Sequence, residues 1–441
     1  MAEAAAVGGV IAYEVAETTV QVGAAGYAVA KPTLPLKASF VQIATATDDD
    51  TRLSVVRSDH SLTVVKNKAY IFGGETGAGK LASNDIHAVT VDRPSEAKSQ
   101  YEPEYSVLPA VPDVEGQAVP KARTRHAATH FNICVAVFGG TDQDGTLVDE
   151  EPIIWLYVTG KSAWESLQSE KGPTPVQRSG ARLFELNNNL VLYGGVDGHG
   201  EALHDVWHFS YAQKTWSQLP SAPVNTRNAA LVDGVLYLIA GTDNMSSDVH
   251  SLHLHPNEKA EATLHVNADK ETAWSTVSFP TNPLAPGPRP RIGGGTLPIS
   301  TGYGRNYLLY FFGARQTPNT TEAMTPEDTD DPSQWSDTWT YQIPSSSAEV
   351  KPAFSISEAI KPARIKDAIR EKLGFSSGEK SWAEVEVQPP GDLVVGTGKI
   401  HPGPRAFFGY DVMPDGHGIV VWGGLNAKGE REGDGWIIRF S

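Results

Sequence analysis

The sequence predicts an all-β protein in which six similar units form the blades of a β-propeller. An apolar run that is rich in β-branched and aromatic residues recurs six times, and each run is short enough for one buried strand. The runs follow one another at a period of roughly 50 residues, which is typical of repeat architectures. One sheet of this size cannot bury both of its faces, so radial stacking of six sheets is expected.

Each unit offers four strand candidates. The six apolar runs end in small residues and lie at 69–74, 135–140, 190–195, 236–241, 309–314 and 419–424. An arginine precedes each run and opens the first strand of its unit: Arg57, Arg123, Arg178, Arg227, Arg291 and Arg405. A third strand led by aspartate follows each glycine-rich end, as at Asp85, Asp205, Asp248, Asp337 and Asp434. A fourth strand carries an aromatic residue near its start: Tyr105, Trp164, Trp216, Trp274 and Trp382.

The last unit ends at Ser441, directly after its third strand, and needs a fourth strand from elsewhere. Residues 39–43 match the aromatic-led fourth strand, so we expect the N-terminal side to close the ring. The predicted propeller spans residues 39–441. Residues 1–38 form an N-terminal extension whose alternation favours a β-hairpin. The fifth unit carries an insertion at 343–380, where apolar residues at helical spacing predict an amphipathic helix.

This order of arginine, strand ending in Gly-Gly, aspartate and tryptophan resembles the kelch-repeat family. The resemblance covers roughly residues 39–441 and is to stand-alone kelch propellers of the galactose-oxidase-like superfamily, without the copper site. Two units depart from the pattern, with Ala240-Gly241 and Gly313-Ala314 in place of the glycine pair. The resemblance implies that the first strand of each blade is innermost. It also implies that ligands dock on the face where the arginines ring the channel mouth.

Composition excludes several classes of function. The formal net charge of −16 disfavours nucleic acid as a partner. A single cysteine, Cys134, rules out an internal disulfide and a cysteine-based zinc site. The sequence has neither a signal-peptide pattern nor an apolar stretch long enough to span a membrane, so a cytoplasmic location is expected. The set Glu201, Asp205 and His208 departs by one residue from the ligand spacing of iron-dependent plant specifier proteins. We therefore expect neither a metal nor a cofactor.

The candidate ligand-binding residues are the six arginines together with His60 and His126, which follow two of them closely. Guanidinium groups suit planar recognition of carboxylate, sulfate or phosphate, and the histidines could supply acid–base groups. The same arginines could instead pair with carboxylates of the propeller itself. No complete catalytic constellation is present in the sequence, so no catalytic residue is assigned.

Two functions fit this sequence. The first is a binding protein that recognises a peptide or protein partner through the arginine-ringed channel face. The second is a cofactor-independent enzyme of the isomerase, lyase or cyclase type, with its pocket at the same channel mouth. The expected partner is accordingly a protein, a peptide or a small anionic molecule.

Overall fold

The computed structural model describes residues 35–44, 55–91, 104–241, 247–256, 264–265, 273–279, 287–300, 305–315, 334–344, 379–388 and 399–441. Within these ranges the regular elements are β-strands, and no helix is long and apolar enough to cross a membrane. Five four-stranded antiparallel sheets and one larger sheet make six blades. The predicted six-bladed propeller is confirmed. The helix predicted within 343–380 and the hairpin predicted before residue 35 lie outside the described residues.

Each blade runs from an inner first strand to an outer fourth strand. Blade 1 consists of Ser61–Val65, Lys68–Phe72, Ile86–Thr90 and Tyr105–Leu108. Blade 2 consists of Ala127–Phe131, Cys134–Phe138, Ile154–Val158 and Ala163–Leu167. Blade 3 consists of Arg182–Leu186, Asn189–Tyr193, Val206–Ser210 and Thr215–Leu219.

The second half of the ring repeats this order. Blade 4 consists of Ala229–Val232, Val235–Ala240, Asp248–His253 and Trp274–Val277. Blade 5 consists of Gly295–Ser300, Asn306–Phe311, Thr338–Gln342 and Trp382–Glu384. Blade 6 consists of Gly409–Val412, Gly418–Asn426, Arg431–Phe440 and Lys37–Ala44. The remaining short strands are Glu75–Gly77, Lys80–Leu81, His255–Pro256, Leu264–His265, Arg291–Ile292, Ala314–Arg315, Glu386–Val387 and Arg405–Ala406.

The N-terminal side of the chain supplies the outer strand of blade 6, as predicted. Lys37–Ala44 runs antiparallel to Arg431–Phe440, with Phe40 opposite Ile438. Its other edge is partly covered by a parallel pairing with Glu386–Val387, which follows the outer strand of blade 5. The closing strand therefore pairs with the last strand of blade 6 and also connects blade 6 to blade 5. The second pairing covers part of a strand edge that would otherwise be open.

The six first strands contact one another in cyclic order and close the ring around a central channel. The core lies between neighbouring blades, because most strand residues of the second and third strands are buried on both faces. Between blades 2 and 3, for example, the indole of Trp216 packs against the rings of Phe138 and Phe209. This stacking fixes the blades relative to each other and so fixes the geometry of the channel.

Candidate binding site at the central channel

Five of the six predicted arginines are buried inside their blades and do not line the channel. Arg57, Arg123, Arg178, Arg291 and Arg405 are each no more than 1% exposed. In each of these five blades Nη1 donates a hydrogen bond to a carbonyl oxygen. The acceptor is the residue just after the second strand in four blades, Gly73, Gly139, Gly194 and Phe312, and Gly423 within the second strand of blade 6. These side chains tie the segment before the first strand to the end of the second strand. As ligand-binding candidates at the mouth they are corrected by the structure, because burial removes them from it.

Four of these arginines face a carboxylate in a bidentate pair. The two N···O distances are 2.5 and 2.9 Å for Arg123–Glu150, 2.6 and 2.9 Å for Arg178–Asp205, 2.7 and 3.1 Å for Arg291–Asp337, and 2.9 and 3.2 Å for Arg405–Asp434. A tryptophan of the third strand donates its indole N–H to the same carboxylate: Trp155, Trp207, Trp339 and Trp436. We call each such set an arginine clamp. Pairing and hydrogen bonding compensate the cost of burying these charges.

Blade 1 holds its arginine without a carboxylate. Nη2 of Arg57 lies 3.0 Å from Nε2 of His87, and Nδ1 of His87 lies 2.6 Å from the hydroxyl of Tyr105. Because a guanidinium group can only donate, Nε2 must be the acceptor and Nδ1 must carry the proton. Asp85, which leads the third strand, accepts instead from the hydroxyl of Ser83 at 2.9 Å. Burial lowers the pKa of Arg57 to about 10.

Blade 4 departs from the predicted register by two residues. The position four residues before its first strand, where the other blades carry the clamp arginine, is Asn225. Its Nδ2 donates to the carbonyl oxygens of Gly195 and Leu203, at 2.8 and 2.6 Å. Arg227 lies two residues further on, its side chain is 38% exposed, and it lines the central channel. Arg227 is therefore the one member of the predicted ring that the structure places at the mouth.

A belt of six residues surrounds the channel mouth, one from each blade, each two positions after the clamp position: Asp59, Arg125, Gly180, Arg227, Gly293 and Phe407. All except Arg227 have φ in the left-handed region, between 52° and 67°. The backbone N–H groups of Asp59, Arg125, Gly180 and Phe407 each donate to the carbonyl oxygen of the belt residue in the preceding blade, at 2.7 to 3.2 Å. We call these six residues the mouth belt. Hydrogen bonds between neighbouring blades hold its backbone in place and so position its side chains.

The charged side chains of the mouth belt are two arginines and one aspartate. Nη1 of Arg227 in blade 4 lies 3.4 Å from Oδ1 of Asp59 in blade 1. Blades 1 and 4 stand opposite each other in a ring of six, so this pair spans the opening. Arg125 is exposed beside it. Partly exposed ion pairs contribute little free energy, so an acidic group arriving from solution can compete for Arg227.

His60 and His126 lie between neighbouring blades, where they border the channel cavity with little exposed surface. His60 is 7% exposed and His126 is 6% exposed. Nε2 of His126 lies 2.8 Å from the hydroxyl of Ser61, and its ring meets that of Phe72 edge-on. Burial, with the charges of Arg123 and Arg227, lowers the pKa of His126 to about 3. Burial likewise holds the pKa of His60 well below its usual range. Both imidazole rings are therefore uncharged and pack between neighbouring blades.

A chamber of about 470 Å³ occupies the central channel and is lined by the first strands and, at its mouth, by belt residues that include Asp59 and Arg227. Sequence reasoning did not identify its main polar residues, Arg182 and Asp411. The position of Arg182 in the repeat could have identified it. Arg182 is the first residue of its inner strand, and the other blades have a small residue at that place: Ser61, Ala127, Ala229, Gly295 and Gly409. A long charged side chain at a place otherwise occupied by small residues must enter the channel.

Metal ligation finds no support in the part of the chain that the structure describes, where no three ligating side chains cluster. Of the set Glu201, Asp205 and His208, Asp205 belongs to the clamp of blade 3. His208 is buried, and this burial lowers its pKa to about 4. The set is therefore divided between a structural ion pair and the interior of the blade.

A six-bladed propeller whose blades close by an arginine and a glycine-containing turn after the second strand is a propeller of the kelch type. The family model described as the KLHDC2/KLHL20/DRC7 kelch-repeats domain matches residues 59–279, which is about half of the chain. This chain belongs to the kelch-repeat family. The solved structure titled "Structure of YjhT" matches with a TM-score of 0.51 at 12% identity, covering 87% of this chain and 97% of that one. This likeness shows the fold.

Curated relatives match over parts of their length. Kelch domain-containing protein 10 of Xenopus tropicalis is 28% identical over 162 residues, 33% of this chain and 39% of that protein. N-(sulfonatooxy)prop-2-enimidothioate sulfolyase of Thlaspi arvense is 28% identical over 174 residues, 37% of this chain and 44% of that protein. The flagellar outer-arm dynein alpha chain of Chlamydomonas reinhardtii is 26% identical over 193 residues, 43% of this chain and 4% of that protein. The chain thus spans less than half of each.

Proposed function

We propose that this chain is a kelch-propeller binding protein that recognises a protein or peptide partner at the channel mouth. One observation carries the proposal: the mouth belt presents Arg125 and Arg227, while the other five arginines of the predicted ring are buried inside their blades. Kelch propellers commonly serve as protein-interaction scaffolds, which supports the same function. We propose further that the partner supplies an acidic side chain.

The electrostatics of the chain favour such a partner. The net charge is −16, so a local positive site at a concave mouth is distinct from its surroundings and can steer an acidic group to one place. A carboxylate that takes over Arg227 leaves Asp59 without its ion pair. Asp59 is partly exposed, so solvent can hydrate it, and the exchange costs little. Because the backbone of the mouth belt is hydrogen-bonded, little further ordering is needed on binding.

Selection from a random peptide library displayed on phage tests this proposal. The wild-type protein is expected to enrich peptides that contain aspartate or glutamate, and salt should weaken them. Arg125→Glu and Arg227→Glu should each abolish that enrichment while leaving the melting temperature unchanged. Lys161→Glu is the matched control, because Lys161 is an exposed cation on the outer part of blade 2. Equal enrichment in all four proteins, or equal loss in the control, would contradict the proposal.

The alternative of a cofactor-independent enzyme requires a general acid or base at the mouth. His60 and His126 were the candidates for that role. Both are buried between blades, and burial depresses the pKa of each. A base must reach the proton that it removes, and these rings expose little surface to the cavity that they border. The arrangement of the mouth therefore favours the binding function.

A further inference from the structure

The chamber contains an arginine that crosses the channel. Arg182 begins the first strand of blade 3, and its guanidinium carbon lies 5.6 Å from the ring centre of Phe184. The same carbon lies 5.5 Å from the ring centre of Tyr410 in blade 6. Blades 3 and 6 face each other across the ring. Aromatic rings therefore hold the guanidinium group inside the channel. They do not accept hydrogen bonds from the N–H groups at its edge, which need other acceptors.

Those N–H groups are poorly satisfied. Nη2 of Arg182 donates to the carbonyl oxygen of Ala229 at 3.4 Å, a long hydrogen bond. Nε is buried and has no acceptor among the described residues. A guanidinium group has five N–H donors. By contrast, each arginine clamp gives its guanidinium group two carboxylate oxygens and a carbonyl oxygen, for example Arg178 with Asp205 and Gly194.

The carboxylates of the chamber are occupied by other donors. Among the residues lining it, Asp59 pairs with Arg227 at the mouth. Glu185 accepts the backbone N–H of Asn188 at 2.7 Å. Asp411 is the third lining carboxylate.

Asp411 is held by the backbone on both oxygens. It accepts the N–H of Val64 at 2.7 Å and that of Val412 at 2.8 Å. These bonds hold the carboxyl group on the wall, and it makes no hydrogen bond to Arg182 among those of the described residues. Burial raises the pKa of Asp411, and the charge of Arg182 acts in the opposite direction. A buried donor that the fold leaves without an acceptor calls for a partner from outside.

We propose that the chamber binds a small organic carboxylate, with its oxygens on the N–H edge of Arg182 and its apolar part against Phe184 and Tyr410. The volume of about 470 Å³ suits a small molecule. Leu183 and Leu297 extend the apolar wall. The proposed contacts use neither arginine of the mouth belt, so the site stands or falls independently of the protein-binding function proposed above.

Isothermal titration calorimetry with phenylacetate, acetate and phenylacetamide tests the proposal. The wild-type protein is expected to bind phenylacetate saturably below about 10 mM. Acetate should bind more weakly because it lacks the ring, and phenylacetamide at least about tenfold more weakly because it lacks the charge. Arg182→Gln should weaken phenylacetate binding by about ten- to a hundredfold. Lys161→Gln, the control on the outer part of blade 2, should leave it unchanged.

The first three results that would overturn the proposal concern the wild-type protein and the Arg182→Gln variant. They are no saturable binding of phenylacetate by the wild-type protein, equal binding of phenylacetate and phenylacetamide, and equal binding of phenylacetate by the Arg182→Gln variant. The comparison of the acid with its amide needs no substitution, so it decides the matter even if Arg182→Gln does not fold. A fourth is loss of phenylacetate binding in Lys161→Gln as well, because the loss would then not be specific to Arg182.

Discussion

Replacing Asp434 with asparagine measures what an arginine clamp contributes to stability. Asp434 is 3% exposed and accepts hydrogen bonds from Arg405 at 2.9 and 3.2 Å and from Trp436 at 2.8 Å. Asparagine keeps the shape but removes the charge and one acceptor, so Arg405 is left buried without a counter-ion. Breaking a buried pair in this way costs about 3–5 kcal/mol. The lower end is expected, because the amide oxygen still accepts one bond. Urea unfolding followed by tryptophan fluorescence gives the change in unfolding free energy.

Blade 1 supplies the matched control. Asp85 also leads a third strand, but it accepts from Ser83 and makes no bond to Arg57, so Asp85→Asn should change stability by less than about 0.5 kcal/mol. Burial opposes ionisation of Asp434, yet Arg405, Trp436 and Lys399 together outweigh it and lower the pKa of Asp434. The advantage of wild type over Asp434→Asn is then complete above pH ~4 and shrinks as the pH falls through the lowered folded pKa. Equal, small losses in both variants, or a pH-independent difference, would refute the reasoning.

Three further predictions concern the propeller as a whole. Deleting residues 1–46 removes the closing strand and should abolish cooperative unfolding in a calorimetric scan, and an unchanged transition would contradict this. Trp216→Ala should cost about 3–5 kcal/mol in urea unfolding, since its ring is 4% exposed, whereas the half-buried Trp274 should cost clearly less. Burial lowers the pKa of His126 to about 3, so stability should fall as the pH drops from about 6.5 towards 3, and His126→Gln should reduce that slope by one proton.

The repeat predicted the architecture because every blade meets the same local requirements. The closing strand was recognisable because blade 6 lacked an outer strand and residues 39–43 had the right pattern. Register was harder where the glycine signal is weak. In blade 5 the turn after the second strand is Phe312-Gly313, with φ of 52° and 99°, and not the Gly313-Ala314 expected from composition. The sequence does not indicate that a phenylalanine adopts a left-handed conformation here. The hydrogen bond from Arg291 to its carbonyl oxygen identifies Phe312 as the counterpart of the first glycine in the other blades.

The role of the arginines could not be read from the sequence, because an ion pair inside a blade and a ligand contact use the same residue types. Burial is decided by the third strand. There the order Asp, one residue, Trp, as in Asp205 to Trp207, brings a carboxylate and an indole N–H to the guanidinium group. In blade 1 the third residue of that order is His87, and the clamp changes chemistry. Arg227 looked equivalent only because Asn225, the true counterpart, is not an arginine.

What separates a structural arginine from a recognition arginine in this propeller is the quality of the partner that the fold supplies. A ligand carboxylate could reach Arg123 only by displacing Glu150 from two hydrogen bonds in a buried pair, and the displaced carboxylate would remain buried and unpaired at a cost of several kcal/mol. Arg227 has one partner at 3.4 Å that solvent can hydrate, and Arg182 has one long bond to a carbonyl oxygen. A ligand therefore gains more at Arg227 at the mouth and at Arg182 in the chamber than at an arginine clamp, because the blades satisfy these two guanidinium groups less well.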